Sequence, residues 1–295
     1  MKHNSSKKHH ATRRLRSSLT GIGFSVAGLA GFSLFFLLPF LISIALSFSG
    51  SSKRFQFVGL ENYLELFRSK SFLLALWNTL RFITIGVPVL MLCSLGLALM
   101  FHYLEQFHEP KTAPLFAASL IPMVVPSSAV VLFVKVLFER YGAVNGLLVQ
   151  LGWEPVNWMN SQYTAVILLG LYLWKNTSYN MVILLGALGG IRPEVYEAAA
   201  LDGSSFWRSV RHIALPQIRP FLSFTGLLSL MGIFKMYRES YLLFGDYPHE
   251  SVYLMQNYMN NNFYAVNYQR LSTASILFFL LVGAGVFFAA RERFR

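Results

Sequence analysis

Charge is scarce in this sequence. Asp, Glu, Lys and Arg make up 13% of its 295 residues, about half the roughly 25% of a soluble domain. Most of the surface must therefore face something other than water. Acids are the scarcer sign, 13 against 25 Lys and Arg, which leaves a formal net charge of +12. That excess does not mark a nucleic-acid binder, because the basic residues sit at the ends of apolar runs and not on one soluble module. Cysteine is nearly absent. Cys93 stands alone, so no intrachain disulfide can form and the fold does not depend on an oxidising compartment. Flanked by Met91, Leu92 and Leu95 with no base beside it, it reads as a small apolar packing residue. Also missing are a G-x-x-x-x-G-K-[ST] phosphate loop, an H-E-x-x-H pair and any Cys/His cluster with metal-ligand spacing. No metal, cofactor, ATP hydrolysis or other catalysis by this chain is expected, since the apolar runs also lack clustered acid–base groups.

Apolar residues are what the chain has in abundance, 55% of the total, with 27 Phe. A membrane-spanning helix needs about 20 mostly apolar residues. Six segments meet or nearly meet that: Ile22 to Leu46, Phe82 to Tyr103, Ala113 to Phe138, Thr164 to Ala187, Phe221 to Leu243 and Leu271 to Ala290. In hydrocarbon only helices and closed barrels satisfy the backbone, and these runs lack the period-two alternation of a barrel. The expected fold is an all-α membrane protein of about six helices. Pro122 and Pro126 predict a kink or break in the third.

Orientation follows from the basic residues. With the N-terminus inside, the cytoplasmic segments carry twice as many Lys and Arg as the outer ones. Both termini are therefore expected in the cytoplasm. The first run has a basic leader like a signal peptide, but it is longer than the usual core of about 7–15 residues, so an uncleaved helix is expected. Residues 1–20 read as a basic tail beside anionic lipid headgroups, and 21–295 as a single transmembrane domain without a linker. Trp153 and Trp158, in the loop from Glu139 to Ser161, suit a membrane interface.

The most informative stretch joins the fourth and fifth runs, about 191–217. Pro193 suits a first helical position, and Glu194 favours the positive end of a helix. Glu197 to Leu201 are good helix formers, Gly203 can supply a left-handed turn, and Ser204 or Ser205 can cap the next helix. Phe206, Val210 and Ile213 then form one apolar stripe that Pro216 ends. A helix–Gly–helix element is expected, with small Ala198, Ala199 and Ala200 open to close approach and the stripe exposed for docking.

Glu197-Ala198-Ala199, three residues, Gly203, nine residues, then Ile213-x-Leu215-Pro216 resembles the EAA loop of the permease subunits of binding-protein-dependent ABC importers. Asp202 and Trp207 further resemble the carbohydrate-uptake branch, which includes maltose and multiple-sugar permeases; Gly245 to Pro248 resembles its outer Gly-Gly-Pro loop only loosely. The resemblance implies a type I importer in a bacterial plasma membrane. A second permease subunit would pair with this chain, cytoplasmic ATP-binding subunits would dock on the loop, and an extracytoplasmic solute-binding protein would deliver a sugar. In that reading Glu197 meets a basic residue of the ATPase, and Gly203, with Asp202 beside it, forms the turn.

For the solute, the fourth run offers aromatic faces and hydrogen-bonding groups: Tyr172, Trp174, Lys175, Asn176, Tyr179 and Asn180. The resemblance places Lys175, Asn176 and Tyr179, just after the matching Trp174, at the sugar site. It also implies a Ser and two Asn on the fifth run, where this chain has Ser229, Ile233 and Met236. Only the serine is kept. The same machine with another cargo, an acidic sugar, a phosphorylated polyol or a polyamine, is therefore a standing alternative. Two lysines lie within the runs. Lys235 is a candidate for the solute path, with pairing to Glu239 four residues on as the alternative; Lys175 has no acid within a turn of its own helix and is expected to face the path or bond to another helix.

Overall fold

The computed structural model describes residues 25–50, 55–106 and 112–291. The expected basic tail, 1–20, lies outside them. Among the described residues there is no strand, only an isolated antiparallel bridge between Ser49 and Phe57. All six apolar runs are helical where they are described, apart from a break at Val125 and Pro126 in the third and a turn at Met236 in the fifth. Four helices are long and apolar enough to cross a membrane on their own, and a fifth span is made by a bent pair. The remaining run, Thr164–Gly189, has the length at 26 residues. Its polar middle, Lys175 to Asn180, keeps it less apolar than the rest.

The described residues form two compact units, one within Met1–Arg68 and Asn262–Arg295, the other within Ser69–Asn261. In the first, helix α1 (Ser25–Ser47) and the short α2 (Glu61–Arg68) pack on the last helix of the chain, Tyr268–Arg291. Phe40 meets Phe279 edge to face, 5.4 Å between centroids. Asn62 donates to the carbonyls of Ser47 and Ser49 at 2.9 Å each, which closes the end of α1. Otherwise α1 carries Phe32, Phe35, Phe36 and Leu41 outward, as a lipid-facing helix should.

The second unit begins with α3 (Lys70–Gln106), 37 residues long and so about 55 Å. It starts twelve positions before Phe82. Asn78, Thr79 and Arg81 interrupt its apolar pattern and hide that start from a hydropathy reading, but the first two are put to use. Asn78 donates to the carbonyls of Glu250 (2.6 Å) and Tyr253 (3.1 Å), and Thr79 accepts from the Met255 N–H at 2.9 Å. Cys93 on α3 is exposed, which corrects the packing role expected for it within the chain; it lies beside exposed Leu92. The third run breaks as its prolines predict. Helix α4 (Thr112–Val124) and the chain beyond Pro126 meet at 94°. Pro122 stays inside α4; Pro126, extended at ψ 140°, stands before α5 (Ser127–Phe138). A short α6 (Ala143–Gln150) follows, and Trp158 is tied to the buried Asn145, its Nε1 2.9 Å from Oδ1, while Trp153 is exposed.

Helix α7 (Thr164–Gly189) is the axis of this unit and packs most heavily on α3. Then come α8 (Pro193–Leu201), α9 over 206–217, α10 (Arg219–Lys235) and α11 (Tyr237–Phe244), with α12 (Met255–Tyr264) and α13 (Tyr268–Arg291) closing the chain. Two turns are wound as π-helix, Ser33–Leu37 and Val210–Ala214. Each is followed by Leu-Pro: Leu38-Pro39 and Leu215-Pro216. A proline ring crowds the carbonyl four residues back and brings no N–H to it, and a wider turn makes room. Pro216 therefore does not end the helix; helical backbone runs on to Gln217.

Tyr172 of α7 is wedged between two glycines. A Cβ on Gly232 of α10 would sit 3.1 Å from its ring, and one on Gly86 of α3 would sit 3.5 Å from it. Its hydroxyl donates to the Ser229 carbonyl at 2.7 Å. Gly232→Val adds three carbons where one is already tight, and overpacking costs about 1–3 kcal/mol. A lower thermal midpoint of the purified protein is expected, with Gly232→Ala much milder. An unchanged midpoint for Gly232→Val would show that α7 and α10 can part without cost.

Candidate functional site

Two regions bring the singled-out residues together, a loop between α7 and α10 and a polar cavity among α5, α7, α10 and α11.

The loop is a helix–Gly–helix element, as its residues dictate. Gly203 has φ +73°. Its N–H reaches the Ala200 carbonyl at 3.0 Å, and the Ser204 N–H reaches Ala199 at 2.9 Å. This is the paired closure that a left-handed residue gives a helix end. Ser205 stands at the start of α9, but no side-chain cap bond is made there; Ser204 Oγ instead accepts from Ser209 Oγ at 3.2 Å. Glu197, Ala198, Asp202, Gly203 and Pro216 are exposed, and Ala199 is half-buried.

The apolar stripe behaves differently from the open docking face expected of it. Val210 is buried, Ile213 is half-buried, and Phe206 meets Tyr103 edge to face at 5.4 Å. Ile213 and Leu215, with Ala214 and Ile218, pack on Phe101 of α3 and on Leu184 and Leu188 of α7. The stripe is the root that seats the loop on the chain's own helices. Tyr196 of α8 joins that root, and burial pushes its hydroxyl pKa up. The large apolar side chains left most exposed are Leu201, at 89%, and Trp207, at 72%, while Phe206 keeps 43% of its surface open. Periodicity shows that a helix has an apolar face, but not whether the same chain covers it.

The cavity holds about 470 Å³. Lys175 and Asn176 of α7 line it, with Lys235, Arg238 and Glu239 from the α10–α11 hairpin and Ser127 from the broken span. Lys175 Nζ lies 3.3 Å from Glu239 Oε1 and also donates to Ser127 Oγ. Ser127 in turn donates to Glu239 Oε1 at 2.7 Å. The Lys235–Glu239 pair is not formed. The helix tightens at Met236, whose N–H is shared by the carbonyls of Gly232 (3.0 Å) and Ile233 (3.2 Å). This disturbs the i, i+4 relation, and Glu239 turns to α7. The break at Pro126 supplies the third member, since Ser127 is the first residue of α5 and brings the positive end of that helix toward the carboxylate.

Of the other singled-out residues, Ser229, Trp174 and Tyr179 lie apart from this wall, and Asn176 lies on it. Ser229 is buried and accepts from Asn180 Nδ2 at 2.7 Å. Trp174 and Tyr179 are each nearly half exposed and do not line the cavity. Asn176 donates to the Tyr172 carbonyl at 2.8 Å. Sequence reasoning missed Ser127, Arg238 and Gly232. Only the proline before Ser127 gave a signal.

Membrane-length helices, a broken span, a charged cavity among them and a protruding helix–Gly–helix loop define a transport permease. Residues 32–294 match the family described as binding-protein-dependent transport system inner membrane component, and the chain belongs to that family. It is similar to the lactose transport system permease protein LacF of Rhizobium radiobacter, 30% identical over 284 residues, covering 92% of this chain and 93% of LacF. It is also similar to the arabinooligosaccharides transport system permease protein AraP of Bacillus subtilis, 31% identical over 224 residues, covering 75% of this chain and 70% of AraP. Its fold is that of a chain in the crystal structure of a bacterial ABC transporter involved in the import of the acidic polysaccharide alginate. The TM-score is 0.83 at 20% identity, over 96% of this chain and 98% of that one.

Proposed function

We infer that this chain is the membrane-spanning subunit of an ATP-driven sugar importer, with both termini in the cytoplasm and one permease domain over 21–295. The observation that carries the reading is the loop. Its root is buried in the chain's own helices, while Glu197, Leu201, Asp202 and Trp207 stand out from it. A rooted lever of this kind suits force transmitted from ATP-binding subunits to the helices around the cavity. A second permease subunit completes the path, and a solute-binding protein loads it from outside. The names of LacF and AraP support a sugar or oligosaccharide as cargo.

The test is ATP hydrolysis by the assembled complex in lipid vesicles. A saccharide-loaded binding protein is expected to raise it several-fold. No response to any saccharide, neutral or acidic, would overturn the sugar reading. Orientation has its own test. With Cys93 replaced, a cysteine at exposed Gln162 is expected to react with an impermeant reagent in intact cells, and one at exposed Ser205 only after lysis. Labelling of Ser205→Cys in intact cells would invert the topology.

A further inference from the structure

The cavity wall has a charge imbalance that bears on the cargo. Three cations and one acid line it: Lys175, Lys235, Arg238 and Glu239. The acid is already engaged by Lys175 and Ser127. Lys235 and Arg238 are exposed and form no ion pair or hydrogen bond among the described residues. Lys235 lies in the second half of the span Arg219–Phe244, where a lysine is costly unless it faces water or a counter-charge. Two unmatched cations on one wall give a field that attracts an anion and repels a cation.

We propose that the cargo is an anionic saccharide, whose carboxylate, sulfonate or phosphate group is held by Lys235 and Arg238 while a sugar ring lies in the cavity. The proposal rests on the sugar reading above and narrows it. The guanidinium of Arg238 offers a planar fork that matches an oxyanion, and Lys235 adds a mobile point charge. Tyr237, between them in sequence and on the same wall, offers an aromatic body for a ring. The volume suits a bound unit of one or two sugar rings, in the size range of small-molecule sites. The same field disfavours a polyamine.

The test uses the assembled importer in nanodiscs and two matched pairs of probes, digalacturonate with galactobiose and trehalose 6-phosphate with trehalose. Equilibrium binding is measured by calorimetry at low and at high salt. In at least one pair the anion is expected to bind about tenfold or more tightly than its neutral twin, with the preference shrinking in salt. Lys235→Gln/Arg238→Gln is expected to remove most of that preference while moving the neutral affinity less than about twofold. Both substitutions take charge out of a span, so insertion is not impaired, and complex assembly checks it. If the neutral twins bind as well as or better than the anions, the proposal is overturned and the sugar reading stands. It is also overturned if the anion preference survives the double substitution. If no saccharide binds at all, the sugar reading fails and takes the proposal with it.

Discussion

Gly203→Val and Glu197→Lys are expected to leave the chain inserted and folded while lowering transport by about tenfold or more, an activation cost of roughly 1.4 kcal/mol or above. The two act differently. Gly203 has open space around it, with nothing within 4 Å of a Cβ built there, so valine would not clash. The cost lies in the backbone. At φ +73° an L-residue pays about 1–2 kcal/mol, and a β-branched one more. The cheapest relief is to unwind the closure at Ala199 and Ala200, which re-aims α8 against α9. Asparagine tolerates that backbone conformation, so Gly203→Asn is expected to keep most of the activity. Glu197 is exposed and makes no ion pair or hydrogen bond among the described residues. Its reversal therefore costs the fold little and should act only on what docks there. The measurements are the thermal midpoint of the purified chain, co-purification of ATPase subunits and solute uptake. Wild-type uptake by Glu197→Lys would remove that residue from the coupling surface. Equal loss in Gly203→Asn and Gly203→Val would mean that the turn's geometry is not what matters.

Much of this fold is legible from residues alone because the solvent is so restrictive. A run of about 20 apolar residues has to be a helix in hydrocarbon, and five of the six expected spans qualify by length and composition once the bent pair is counted as one. Pro126 announces a break, and Gly203 announces a positive φ, because the local chemistry admits little else. What escapes is whatever depends on distant chain. The start of α3 is hidden since Asn78 and Thr79 dilute its apolar pattern, and their partners lie more than 170 positions away. The stripe at Phe206, Val210 and Ile213 is correctly seen as an apolar face, but the partner proves to be α3 and α7. The cavity suffers the same way. A helical wheel pairs Lys235 with Glu239, and only the tightened turn at Met236 and the approach of α7 show that Lys175 takes that acid.

Lys175→Met is expected to lower the thermal stability of the assembled protein, and Lys175→Met/Glu239→Met to restore most of it. The pair links α7 to α11, and Ser127 adds α5, so three elements that wall the cavity meet at one charge pair. The side chains are 18% and 14% exposed, and most of their hydration is gone. Removing one member of a fully buried pair costs about 3–5 kcal/mol, because the other is left without compensation. This pair opens on a cavity, and the cost of either single substitution is expected nearer 1–3 kcal/mol. Replacing both charges by apolar side chains of similar length removes the uncompensated charge, which is often neutral or better. A double-mutant cycle on the thermal or denaturant midpoint should therefore give a coupling of about 1–3 kcal/mol. Additive losses would show that the two charges do not depend on each other. Uptake separates structure from solute contact. If Lys175 only holds the helices, the double variant regains uptake along with stability. A double variant that is stable and assembled yet does not transport would instead assign Lys175 to the cargo, beside Lys235 and Arg238 on the same wall.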